Sequence, residues 1–128
     1  MVYYVNIVID RSYTDTTYVY AEVRDAEDHS RKHSTSEIYD SDDYIDEPFD
    51  AVEVLGRLLD RIRKKFSIKY THADRDGCYE HYIVQGVLFD NREDAEKYAD
   101  KLAEKCREIL DKIEDEMLKE LLFPEEHK

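Results

Sequence analysis

Along the chain, hydrophobic and polar positions first follow the period of strands and then that of helices. Residues Tyr3 to Asp10 (YYVNIVID) are dense in Val, Ile and Tyr, the pattern of a strand covered at least partly on both faces. RSYTDT interrupts it. Thr17 to Val23 then alternates, with Val19, Ala21 and Val23 on one side and Tyr18, Tyr20 and Glu22 on the other. Two such runs with a short polar link predict a hairpin. RDAEDHSRKHS is too polar for a core, and Thr35 to Tyr39 predicts a third strand at the sheet edge.

The period changes at Asp50. Asp50-Ala-Val-Glu53 has the form of a capping box, Phe49 and Val54 form a hydrophobic staple, and Pro48 resists an earlier start. Leu55, Leu58, Leu59, Ile62 and Phe66 recur at helical spacing as a single stripe. Arg61, Arg63, Lys64 and Lys65 gather where the helix dipole favours cations.

A second hairpin follows. Phe66, Ile68 and Tyr70 alternate towards the turn Asp74-Arg75-Asp76-Gly77, and Tyr79 to Phe89 returns as a central strand, apolar on both faces. Phe89-Asp90-Asn91-Arg92-Glu93 then repeats the Phe-Asp-x-x-Glu start of the first helix, as two separate uses of one good cap. The final helix should run from Asn91 to about Leu122, with Ala95, Ala99, Leu102, Cys106, Ile109, Ile113 and Met117 on its stripe. The predicted fold is α+β: two tandem ββα-like units, 1–65 (with the acidic loop 36–50) and 66–128, forming an antiparallel sheet packed by two helices in one domain.

At 1.5 Å per residue the last helix reaches about 48 Å, against a diameter of roughly 36 Å for a compact chain of this length. Its end should therefore overhang, carrying Ile113, Met117, Leu118, Leu121 and Leu122 as a homodimer interface.

Charge narrows the function classes. The net charge of −13 repels phosphate backbones, so direct nucleic-acid binding is not expected, and a basic protein partner is favoured. Cys78 and Cys106 have no metal or disulfide spacing, and the N-terminus lacks the basic region of a signal peptide. The expected setting is cytoplasmic, without membrane association.

Candidate chemistry is sparse. Asp10, Asp50, Glu53, Asp74 and Asp76 suggest a metal-dependent nuclease of ribonuclease H-like type only loosely, because most have capping or turn work. Counted from Asp40, the acidic run lacks the Gly and Glu of an EF-hand loop. His29 and His33 flank Arg31 and Lys32, which repel a cation; His72 and His81 can be neighbours across the second hairpin, but no third ligand is evident. No cofactor, metal site or catalytic set is therefore expected.

The most distinctive segment is SEIYDSDDYIDEPFD, residues 36–50, with seven carboxylates and no Lys or Arg. Glu37, Tyr39, Asp40, Asp42, Asp43, Tyr44, Asp46 and Glu47 are the expected partner-contact residues. Spaced carboxylates with interleaved tyrosines can offer a basic groove a substitute for phosphates and bases. That is how small phage or viral proteins of the anti-restriction or anti-CRISPR kind act, an analogy of charge and size alone. The expected function is a non-enzymatic acidic binding module, an inhibitor of a nucleic-acid enzyme. A dimeric assembly module is the alternative, and the nuclease comes last.

Overall fold

The β-branched and aromatic runs fold into five strands: β1 (Tyr3–Asp10), β2 (Tyr18–Asp25), β3 (Lys32–Asp40), β4 (Ile68–Asp74) and β5 (Tyr79–Val84). The two stripes at helical period form α1 (Ala51–Lys65) and α2 (Arg92–Leu122). The structure is a computed structural model and describes residues 1–12, 16–44, 49–74 and 77–127. All strand pairs are antiparallel, in the order β3-β2-β1-β5-β4, so the fold is α+β with a long C-terminal helix. β1 holds the middle because it is the most continuously apolar strand, buried from Tyr3 to Ile9.

Both helices lie on one face of the sheet. Val5, Ile7 and Ile9 of β1 and Val19, Ala21 and Val23 of β2 meet Leu55, Leu58 and Ile62 of α1 and the Leu102, Cys106, Ile109, Ile113 stripe of α2 in one core. Ala95, Ala99 and Ala103 let α2 lie close to the strands. The helices are antiparallel to each other: Arg57 of α1 pairs with Glu120 at 2.8 Å, and Arg61 pairs with Glu116.

Several expectations change. Ile113 and Met117 are buried within the chain's own core, because α1 extends along α2 and covers it; they cannot form a dimer interface. Of the described apolar residues at that end, Leu118, Leu121, Leu122 and Phe123 stay exposed. Tyr39 is also buried: it is registered opposite Val19 on the helix-covered face, so it is not a partner contact. The third strand is longer than Thr35 to Tyr39, which makes the first unit βββα. β5 stops at Val84, before Gly86 takes a left-handed φ of 75°, and Phe89 rejoins the sheet only as a bridge to Tyr3.

The caps differ from each other. Asp50 caps α1 by accepting from the Val52 amide, while Glu53 turns to Arg57 instead of closing a box. α2 is capped by Asn91, which accepts from the Asp94 amide, so its N-cap lies one residue later than the repeated Phe-Asp-x-x-Glu pattern places it. At the second hairpin, Gly77 does take the left-handed conformation, with φ 84°. Among the described residues, no helix is long and apolar enough to cross a membrane.

Candidate functional site

The face of the sheet turned away from the helices has a different composition. Side chains alternate across a strand, so Tyr4, Asn6, Val8 and Asp10 of β1 point there, with Tyr18, Tyr20, Glu22 and Arg24 of β2. Strand register aligns them in rows. One row runs Asp40–Tyr18–Asp10–Tyr79–Asp74 across all five strands, alternating carboxylate and phenol. All five residues are half-buried. With strands about 4.8 Å apart, successive carboxylates in this ladder are about 10 Å apart.

The next row, Glu37–Tyr20–Val8–His81–His72, brings the histidines together. A one-residue bulge at Thr71 lies between the pairings Tyr70↔Tyr82 and His72↔His81, and it places His72 on the open face. The two imidazoles stack with centroids 4.4 Å apart. Asp74 lies on the same side of β4, two residues on, and reaches both rings: Oδ2 is 2.7 Å from His81 Nε2 and Oδ1 is 3.2 Å from His72 Nε2. Among the described residues, His72, Asp74 and His81 are the only three metal-ligating side chains that converge.

Behind this trio lies a buried glutamate. Glu22 is wholly inaccessible and reaches over β1, so that its Oε1 is 3.7 Å from His81 Nδ1. Arg24 donates to the same oxygen at 2.5 Å, and Asn6 Nδ2 donates to it at 3.4 Å. Burial pushes Glu22 towards the neutral acid, but His81, Arg24 and Asn6 outweigh it and hold the carboxyl below its ordinary range. Asp74 is likewise held low: burial opposes it, but His81, His72 and Arg24 together outweigh burial. Glu22 and then Asp74 raise His81 above the ordinary imidazole value, against its burial. Tyr20, beside Glu22 and Asp10, is pushed up mainly by burial.

A cleft of about 850 Å³ opens beside the cluster, lined among others by Tyr4, Asn6, Arg24, His29, His72 and His81. Tyr4 Oη and His29 Nδ1 are 3.0 Å apart at its rim. Asn6 Oδ1 is buried there with no protein partner.

The acidic segment behaves differently. Glu37 and Asp42 are exposed, and Asp40 is half-buried. Asp40 Oδ1 accepts from the Asp42 amide, and Asp42 Oδ1 accepts from the Thr16 hydroxyl, as turn carboxylates do. The side chains of Asp43 and Tyr44, and all of Asp46 and Glu47, lie outside the described residues. Among the described residues, Arg57, Arg61 and Lys64 of α1 pair with Glu53, Glu120, Glu116 and Asp60, Arg63 donates to the Tyr82 hydroxyl, and no ion pair reaches Glu37, Asp40, Asp42 or Asp50.

Among the described residues the nuclease constellation is not assembled, and Asp76 lies outside them. Asp10 accepts from the Ser12 amide and Asp50 caps α1, and neither joins a convergent ligand group among the described residues. Sequence reasoning paired His72 with His81 but missed Asp74 and Glu22. Two-residue periodicity from His72 gives Asp74; no local signal gives Glu22, which is 59 residues from His81 in the chain (81 minus 22). Comparison of the chain with protein-family models, curated proteins and solved structures gives no match.

Proposed function

We propose that this chain is a small, acidic, non-enzymatic protein-binding module that receives a basic partner on the open face of its sheet. The observation that supports this reading is the Asp40–Tyr18–Asp10–Tyr79–Asp74 ladder, continued at the sheet edge by exposed Glu37 and Asp42. Tyrosines supply contact area at little rotamer cost, and carboxylates about 10 Å apart suit lysines or arginines of a nucleic-acid groove. The net charge of −13 steers such a partner in and keeps nucleic acid out. An inhibitor that occupies the channel of a nucleic-acid enzyme fits this chemistry.

The test is competition for labelled duplex bound to DNA- and RNA-processing enzymes, at low and high salt. The expected result is displacement that weakens with salt and is lost in the triple variant Asp10→Asn, Asp40→Asn, Asp42→Asn. Asn keeps the backbone and hydroxyl hydrogen bonds that these side chains accept, so the fold should persist. Displacement unaffected by the triple variant removes this reading.

A second reading, the dimeric assembly module, draws on Leu118, Leu121, Leu122 and Phe123, each exposed at the end of α2. Light scattering should then give twice the chain mass, and Leu121→Asp with Leu122→Asp should return a soluble monomer. A wild-type monomer at high concentration excludes it.

A further inference from the structure

Thr71 and Glu22 lie behind the ring nitrogens that His72 and His81 turn away from Asp74. Thr71 has one hydroxyl proton, and it donates that proton to the His81 carbonyl at 3.2 Å. Its oxygen is then an acceptor for His72 Nδ1, 3.0 Å away, so the His72 proton sits on Nδ1 and the Nε2 lone pair points at Asp74. His81 turns its Nε2 to Asp74 at 2.7 Å, while its buried Nδ1 has no hydrogen-bond partner and lies 3.7 Å from the carboxylate of wholly buried Glu22.

One ring nitrogen of each histidine and the Asp74 carboxylate therefore converge, with their ligand atoms all within 4.8 Å of one another. Such a set is stable only around positive charge, supplied by protons or by one metal ion. Backing of each metal-bound imidazole by an acceptor on its far nitrogen is the usual second shell of a metal site. A solvated hairpin surface has no need of a fully buried glutamate to aim a histidine.

We propose that His72, Asp74 and His81 bind one divalent cation of the zinc class, with Glu22 and Thr71 as positioning residues. Two imidazoles and one carboxylate are borderline donors, which suit Zn²⁺ better than Ca²⁺ or Mg²⁺. Three protein ligands leave a fourth position, and the cleft lined by Tyr4, Asn6 and Arg24 adjoins it. Buried Asn6 Oδ1, without a protein partner, is a ready acceptor for a water or ligand held there. The rings are nearly parallel, 14° apart, so closing on one ion requires a tilt, and exposed His72 has the freedom to make it. Arg24 carries a like charge beside the cleft, but it is committed to Glu22 and to the His29 carbonyl. This site shares Asp74 with the partner-binding ladder, but the two tests use different variants and readouts, so either can fail without the other.

The test is calorimetric titration of Zn²⁺ alone into the tag-free, EDTA-treated full chain, with thermal melting alongside. The expected result is saturation at one equivalent with a rise in melting temperature. His72→Gln, exposed and therefore safe for folding, should weaken binding at least tenfold, and Asp74→Asn should do the same, with unchanged circular dichroism. Absence of a one-equivalent transition, or one-equivalent binding unaffected by His72→Gln, overturns the proposal. Multiple weak equivalents insensitive to both variants, as from scattered surface carboxylates, overturn it too.

Discussion

The two faces of the sheet are built from the same five strands by opposite rules. Under the helices, the inward positions are filled mostly by Val, Ile, Leu and Ala, with Tyr39, Tyr82, Cys106 and Met117 among them, and non-directional burial holds the layers together. On the open face, Glu22 and His81 are just as inaccessible, but directional bonds to Arg24, Asn6 and Asp74 hold them. The covered face tolerates many apolar solutions of equal volume, whereas the open face depends on single partners. A polar network of this kind is more often kept for what it binds than for what it stabilises.

The sharpest contrast is in thiol chemistry. Burial on the covered face pushes Cys106 up to about 12, so its thiolate at pH 8 is about one part in ten thousand. Cys78, half-accessible just before β5, should be alkylated readily, and Cys106 only at the rate of global unfolding. Mass spectrometry after timed iodoacetamide treatment checks this; simultaneous labelling of both would mean that the covered face opens freely.

Next come the stabilities. Ile113→Ala on the covered face should cost about 3 kcal/mol in urea unfolding, from lost transfer energy plus a cavity. Glu22→Gln on the open face should cost less, about 1–2 kcal/mol, because it removes the charge facing Arg24 while keeping an acceptor for His81. If Glu22→Gln exceeds Ile113→Ala, the polar network is the main support of the fold, not a site built on it. Leu121→Ser, by contrast, should stay within about 0.5 kcal/mol in a monomer, which separates the exposed end of α2 from buried Met117 just before it.

The smallest effect is electrostatic. Arg61 holds Glu116 below its ordinary value of 4.5. A carboxyl with a depressed folded value stabilises fully above its unfolded value, and that contribution fades as pH falls through the folded one. Acid titration of stability in Arg61→Met should therefore lose a shallow component below about pH 4.5, and a small one, since both side chains are substantially solvated.

Much of this could be read along the chain. The strand pattern of Val19, Ala21 and Val23, the helical stripe from Leu55 to Ile62, the Asp50 start of α1 and the span of α2 are all local periods, and each appears where its residues predict it. Helix length alone leaves Ile113 and Met117 on a free rod; Arg57 and Arg61 show that α1 accompanies α2 almost to its end. A linear count of acids does not show that Tyr39 points inward, nor that Asp10 and Asp74 align with Asp40 across the sheet.

What the sequence determined by itself is which segments are strands or helices and which positions face a core, because those follow from spacing between near neighbours. What only the tertiary structure decided is who meets whom on the open face. Strand order sets β2 and β5 on either side of β1, so Glu22 and His81 close over Val8. A bulge at Thr71 puts His72 and Asp74 on that same side. Such meetings depend on register, and a one-residue slip in any strand would turn its side chains to the other face.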